Sequence, residues 1–348
     1  MQNFIVVKLS AIGDVIHALP VSYAIKETFP TSHLTWVVEP PAYPLLEENP
    51  YIDDLIVFPK KDFKSFQGFM TNYLPFRRRI RQRRYDASLD LQGLFKSASI
   101  IAQAGAREKY GTSNMREGSN LLSRPVRGAH AGGHIVERYL DVARAIGCQV
   151  EEVSFPITIP DEARARVETL LRAQAVPESR PYAVLAIGAN WPNKRWPTNY
   201  YSALSDWLFG EGIIPILAGG GALDDNLAAS IAATAQIPPV SLVGRTSLIE
   251  LAALIDRAAL VIGGDTGPVH MAAGLRRKTI MLLGPTDANR NGPYGQLENA
   301  IEIDRDCRYC WKRSCARGMD CLAKITVAEV QAKIRRVLNR PLRRGECP

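Results

Sequence analysis

Leu260-Val261-Ile262-Gly263-Gly264-Asp265-Thr266-Gly267-Pro268-Val269-His270-Met271-Ala272-Ala273 is the stretch from which the fold reads most directly. An apolar run rich in β-branched residues predicts a buried strand, and the glycine pair ends it. Pro268 then stands where a helix would open, a position at which its missing N–H costs nothing. Strand, tight turn and helix in immediate succession are the unit of a doubly wound parallel sheet. The amides of Thr266 and Gly267 would point out of the helix N-terminus, where the macrodipole favours an anion, and the glycines let a phosphate approach the chain. Helix capping alone would account for Asp265 or Thr266, but not for the glycine pair, the threonine and His270 together.

Working outward, the same alternation fills both halves of the 348-residue chain. In the second half, strands are expected at 182–187, 213–218, 240–242, 260–263 and 279–283, with helices at 198–209, 224–235, 247–257 and 268–274 between them. In the first, strands at 4–9, 33–38, 55–59 and 87–91 alternate with helices at about 15–29, 93–104 and 134–146 and an Arg-rich helix before residue 87. A charged helix at 161–174 precedes Val176-Pro177-Glu178-Ser179-Arg180-Pro181, which reads as a linker. The domains expected are therefore 1–175 and 182–325, both Rossmann-like, with a helix at 326–339 packing back toward the N-terminal one. Ligands of such sheets bind outside the carboxyl ends of the strands, so both halves should direct their loops into a shared cleft. From about Arg340 the chain is basic with Pro and Gly and should fray.

Two more strand-to-helix turns carry chemistry. Lys8-Leu9-Ser10-Ala11-Ile12-Gly13-Asp14 opens a helix at or just after Asp14. That aspartate is a helix cap on the plain reading, and a base able to take a proton from an attacking hydroxyl on the functional one. It is not a dinucleotide fingerprint, because G-x-G-x-x-G is absent. Ala189-Asn190-Trp191-Pro192-Asn193-Lys194-Arg195-Trp196-Pro197 precedes a helix capped by Thr198 and sets two cations between two tryptophans, an arrangement suited to a diphosphate. Asp90-Leu91-Gln92-Gly93-Leu94-Phe95-Lys96 is a further such turn, with Gln92 and Lys96 facing the cleft.

The formal charge of +8 points to an anionic partner: a phosphorylated substrate, an acidic membrane surface or nucleic acid. Arg77, Arg78, Arg79, Arg81, Arg83 and Arg84 sit on one expected helix, either as a solvated face or as contacts to an anionic acceptor or acidic leaflet. No apolar run approaches the ~20 residues of a membrane-spanning helix, and the N-terminus reads as a core strand without a signal peptide's charged region. The expectation is a cytosolic protein with reduced thiols. Cys307, Cys310, Cys315 and Cys321, spaced C-x2-C-x4-C-x5-C, could hold a structural zinc or an iron–sulfur cluster; Cys148 and Cys347 are read as incidental.

Taken together these segments resemble glycosyltransferase family 9, the bacterial ADP-heptose:lipopolysaccharide heptosyltransferases. The first turn matches the family's S-x-x-G-D signature and continues Val15-Ile16-His17-Ala18-Leu19-Pro20; K-R-W-P matches at Lys194 to Pro197, and G-D-T-G-x-x-H at Gly264 to His270. Residues 90–97, 115–123 and 134–140 look more like heptosyltransferase I than II. The resemblance implies a GT-B fold and an inverting reaction with no essential metal or other cofactor. It implies Asp14 as the catalytic base, Lys194 on the donor phosphates, and Asp265, Thr266, Gly267 and His270 in the donor-binding turn, with Asn190 beside them. Ser10, Gln92, Lys96, Arg77 and Arg81 are the acceptor-side candidates. Ala189 and Asn190 replace hydroxyl residues common in relatives, and Gly219-Gly220-Gly221 replaces a turn that elsewhere leads into an acidic ribose contact.

The reading is therefore an α/β, GT-B enzyme that transfers heptose from ADP-heptose to an anionic lipopolysaccharide precursor, Kdo-modified lipid A. It would work at the cytoplasmic face of the inner membrane as a peripheral protein, with no nucleic-acid partner. The rivals are a same-fold transferase using another nucleotide sugar, and a basic zinc-containing nucleic-acid-binding protein; the latter leaves the glycine-rich strand-end turns unexplained.

Overall fold

Phe4, Ile5, Val6 and Val7 are all buried in strand β1 (Asn3–Val7), which explains why they form an unbroken apolar run: a central parallel strand is covered on both faces. The computed structural model describes residues 2–315, 317, 318 and 320–339, apart from the Lys64 side chain. The tail from Arg340, with Cys347, lies outside them. The chain divides into two units, the first ending at Thr158 and the second beginning at Ile159.

In the first unit β1 is followed by α1 (Ile12–Thr28), β2 (His33–Val38), β3 (Asp54–Val57), α2 (Phe66–Ile80), β4 (Ala87–Asp90), α3 (Phe95–Ala104), β5 (Glu108–Gly111), β6 (Arg124–Pro125) and α4 (Ile135–Ala145). The strands form one parallel sheet in the order β3-β2-β1-β4-β5-β6, with Val6 opposite both Trp36 and Leu89. The order reverses between β1 and β4, so the ligand-binding crevice of this unit falls at the residues just after Val7 and Asp90.

The second unit begins with α5 (Asp161–Ala173) and continues β7 (Tyr182–Ala186), α6 (Thr198–Gly210), β8 (Ile214–Ala218), α7 (Ala222–Thr234), β9 (Val240–Ser241), α8 (Leu248–Arg257), β10 (Leu260–Gly264), α9 (Gly267–Gly274), β11 (Thr279–Leu283), α10 (Ala288–Asn291), β12 (Ala300–Glu302) and α11 (Val327–Leu338). Its parallel sheet runs β12-β11-β10-β7-β8-β9, the same doubly wound order, with the switch between β7 and β10.

The boundary differs from the expected one. The Pro-rich 176–181 segment is a turn inside the second unit, because α5 is tied to α8 there. Arg164 reaches Asp256 at 2.6 Å and Arg257 reaches Glu168 at 2.8 Å, while Val167 and Leu171 are buried on the same helix. Helix α11 also uses its apolar face inside this unit: Val330, Ile334 and Val337 join the core containing Trp196, Tyr201, Leu204 and Leu208. Thr326 accepts from the Glu329 amide, and Glu329 reciprocates at the Thr326 amide.

Other boundaries shift at the turns. Helix α1 opens at Ile12 rather than at Asp14, so Asp14 is its third residue and not its cap. Pro197, not Thr198, caps α6. Helix α2 ends at Ile80, so only Arg77, Arg78 and Arg79 of the arginine run lie in it, in the last turn where cations complement the macrodipole. Arg81 is the C-cap, and Arg83 and Arg84 lie in the following turn.

Candidate active site

The first unit's switch point is built around a buried lysine. Lys8 follows β1 directly, and its Nζ donates to the Tyr139 hydroxyl at 2.8 Å and the Leu91 carbonyl at 3.2 Å. Burial alone would depress this ammonium; Tyr139, Asp14 and Asp90 outweigh it and hold the pKa above the usual lysine value. Gln92 bridges the same gap from β4, its Oε1 accepting from the Leu9 amide at 3.1 Å and the Ser10 amide at 3.2 Å. Asp90 organises the turn: its carboxylate accepts from the Gln92 and Gly93 amides and from the Ser97 hydroxyl. Burial, only partly offset by these bonds, raises its pKa. Gly93 takes φ +67°, which lets the chain reverse there at little cost.

Asp14 stands on this edge half-exposed, with Oδ2 3.3 Å from the Ala11 amide. One long bond to the helix start leaves carboxylate lone pairs for another partner. Lys96 reaches Glu39 Oε1 at 2.6 Å, and Lys60 reaches the other oxygen at 3.2 Å. Glu39 is itself buried, so two cations converge on one carboxylate beside the site. Asp14, Ser10, Gln92 and Lys96 thus share one edge of the sheet. Arg77 and Arg81 do not: α2 runs back toward the start of β4, and its C-terminal end lies at the opposite edge.

In the second unit, the turn after β7 and the turn after β10 meet. Lys194, in a 3-10 turn at Pro192–Lys194, donates to Asp265 Oδ2 at 2.6 Å, and His270 Nε2 lies 2.8 Å from the other oxygen. Asp265 and His270 are buried. Burial would raise the Asp265 carboxyl, but the His270 ring and the Lys194 ammonium outweigh it and hold it far below the usual carboxylate range. Trp191 lies under the lysine, with its ring centroid 4.6 Å from Nζ. The backbones approach so closely that a Cβ on Gly264 would sit 2.1 Å from the Lys194 carbonyl oxygen. That contact is why a glycine is required there. Thr266 is the N-cap of α9 and Gly267 its first residue, both half-buried, so the helix mouth opens beside the ion pair.

The other residues of this region separate. Asn190 is exposed at the rim. Arg195 turns back to the Ala189 carbonyl at 2.8 Å and holds its own loop, and Trp196 is a core residue whose Nε1 donates to Ile325. The paired-cation, paired-tryptophan reading thus reduces to Lys194 and Trp191. Three groups escaped the sequence reading: Lys8, Glu39 and Asp224. Asp224 lies under the glycine turns after β7 and β8, bonded to the Gly220 amide at 2.8 Å, and a Cβ on Gly188 would meet its Oδ2 at 2.1 Å. The paired glycines at 188 and 219 were the available signal, since such gaps imply a group pressed against the backbone.

A metal at the four cysteines finds no support in the structure. Among the described residues no group of three or more His, Cys, Asp or Glu is arranged to hold a metal ion. Cys321 is buried, its thiol pushed up to about 11 by burial and then by neighbouring Cys310, while Cys310 is exposed and Cys307 and Cys315 half-buried. Cys315 and Cys307 also act on the Cys321 thiol, and the chain between them turns at Tyr309 and Trp311, both at positive φ.

The matches to known proteins agree with this geometry. The family model for glycosyltransferase family 9 (heptosyltransferase) matches residues 73–319. The chain is 29% identical over 320 residues to lipopolysaccharide heptosyltransferase 1 of Pseudomonas aeruginosa, covering 90% of this chain and 87% of that one. Among solved structures, the E. coli heptosyltransferase WaaC with ADP superposes with a TM-score of 0.76 at 25% identity, covering 97% of this chain and all (100%) of that one. A family 9 glycosyl transferase from Veillonella parvula superposes with a TM-score of 0.85 at 24% identity over 97% of each chain, a likeness of fold. Two doubly wound sheets, a basic and a carboxylate-bearing strand-end turn, and a model match spanning most of the chain lead to one assignment: this chain belongs to glycosyltransferase family 9, the heptosyltransferases.

Proposed function

We propose that the protein transfers heptose from ADP-heptose to the inner core of a lipopolysaccharide precursor, Kdo-modified lipid A, with inversion at the sugar's anomeric carbon. The observation that carries the donor side is the Lys194–Asp265–His270 chain at the mouth of α9. A nucleoside diphosphate offers two phosphates, and an ammonium beside a helix N-terminus is complementary to them. The names of the relatives support the same reading: a lipopolysaccharide heptosyltransferase, and a heptosyltransferase bound to ADP.

In the proposed step Asp14 takes the proton of an acceptor hydroxyl as its oxygen bonds to the anomeric carbon. The bond from that carbon to the phosphate oxygen breaks, and its electron pair leaves on ADP. Lys194 and the amides of Thr266 and Gly267 stabilise the charge that develops there, and Asp265 addresses the sugar hydroxyls. The leaving group is already a weak base, so a second acidic carboxyl is unnecessary, by contrast with inverting glycosidases. Lys96 offers a cation to the anionic acceptor, and the work is placed at the cytoplasmic face of the inner membrane.

Incubating the protein with ADP-heptose and Kdo-modified lipid A, and following the acceptor's mass, tests this. Gain of one heptose with release of ADP is expected. Transfer from a UDP- or GDP-sugar in its place would favour the rival donor, which the departures at Ala189, Asn190 and Gly219–Gly221 leave room for. No transfer from any nucleotide sugar would end the proposal.

A further inference from the structure

Helix α2 carries an apolar stripe that the first unit does not cover. Phe66 is 83% exposed, Met70 60% and Leu74 52%, with Phe69 at 41% beside them. Positions 66, 70 and 74 follow one another at i, i+4 and i+8 and share a face. The helix is anchored along the adjoining flank, through buried Phe76 and Ile80.

Basic residues bracket this stripe. Lys60 and Lys61 precede it exposed, and Arg77, Arg78 and Arg81 follow it half-buried or exposed; Asp62 is the one acid exposed between them. The Lys60 ammonium leans on Glu39, while Arg79 is engaged by Asp54. The stripe also has a direction. Since α2 leaves the C-terminal end of β3, Phe66 lies toward the edge that carries Asp14 and Lys96, and the arginines lie toward the other. A chain of rings joins the two places. Lys96 Nζ is 5.7 Å from the Phe58 ring, Phe58 packs on Phe63 at 5.3 Å, and Phe63 on Phe69 at 5.7 Å. Phe95, beside Lys96 at the start of α3, is 57% exposed on the same edge.

We propose that α2 is the surface by which the protein docks on an acidic lipid leaflet, with Phe66, Met70 and Leu74 entering the headgroup boundary and the bracketing lysines and arginines meeting lipid phosphates. Shallow insertion of a few apolar side chains between cations is what an interfacial helix requires. A stripe one side chain wide is too narrow for a stable protein partner, which needs about 800 Å² on each side. No described helix is long and apolar enough to cross a membrane, so contact through α2 is peripheral. The inference rests on the lipid-linked acceptor proposed above: it would hold the acceptor-side edge at the surface from which such an acceptor projects.

The test is flotation of the full chain with phosphatidylcholine vesicles, with and without phosphatidylglycerol. Wild-type protein should float with the anionic vesicles, weakly with the neutral ones, and less as salt rises. The variant F66S/M70S/L74S should lose about tenfold or more of its vesicle affinity, and its turnover on acceptor embedded in vesicles should fall. Titration with ADP should be unchanged, showing that the variant is folded and that its donor site is intact. Wild-type protein that ignores anionic vesicles, binds both kinds equally, or is matched by the variant would overturn the docking surface. Failure of wild type to bind ADP would instead count against the proposed donor, and leaves the vesicle result to stand by itself.

Discussion

Lys194 Nζ lies 2.6 Å from Asp265 Oδ2, so the cation proposed for the donor phosphates and the carboxylate at the mouth of α9 form one ion pair. Both side chains are largely buried, at 14% and 4% exposure, and His270 completes the set from the other side of Asp265. A site of this kind is preorganised: the lysine is aimed before any phosphate arrives.

Lys194→Ala should therefore weaken donor binding and slow turnover together. A charge-assisted contact of about 1.5–3 kcal/mol corresponds to a loss of roughly ten- to a hundredfold in kcat/KM for the donor. Steady-state kinetics with varied donor measure it, and unchanged values would remove Lys194 from the site.

Asp14→Asn should abolish transfer while donor binding stays near wild type, because amide nitrogen and oxygen occupy the same space but cannot take the proton. Loss of a general base costs roughly 10²–10⁴-fold in rate. Paired measurements of turnover and ADP affinity check this; full activity would exclude Asp14 as base.

Asp265 predicts a pH dependence with a definite sign. Its folded pKa is depressed far below the unfolded value of about 3.9, so near pH 3 the unfolded chain binds the extra proton and stability rises with pH. The contribution is fully present above about pH 5 and is lost as pH falls from there toward the folded pKa. Denaturant unfolding across acidic pH should show this slope in wild type and a flatter one in Asp265→Asn. Equal slopes would contradict the ion pair.

Gly264→Ala should push the Lys194 carbonyl away, since the new Cβ would stand 2.1 Å from it. Overpacking of this kind costs about 1–3 kcal/mol, and the displaced lysine should lose the donor as well. A thermal melt and an ADP titration read the two effects; a variant normal in both would show that the close approach is dispensable.

How much of this was legible beforehand differs by element. Strand β2 and strand β11 match the expected bounds to the residue, because Leu34 to Val38 is β-branched or apolar throughout, Ile280 to Leu283 is apolar without interruption, and both runs end at turn residues. The glycines before Asp265 and the proline after it marked their turn just as clearly. Strands β5, β6 and β12 left no such trace: Glu108–Gly111 is polar and half-exposed, and Arg124–Pro125 is two residues long. The opening of α1 was misjudged by two residues, since Ala11, its N-cap, offers no capping side chain to mark it.

The sequence by itself determined the two doubly wound units and the turns that bear Asp14, Lys194 and Asp265, because periodicity, glycine and proline act over a few neighbouring residues. Only the tertiary structure decided that Gln92 braces the end of β1, that Lys8 is buried against Tyr139 and that α5 belongs to the second unit. Each of those outcomes depends on which side chains the fold brings side by side across 83 to 131 residues of chain, as between Leu9 and Gln92 or Lys8 and Tyr139. Local sequence carries no term for such a meeting, since its energy exists only once the strands are paired.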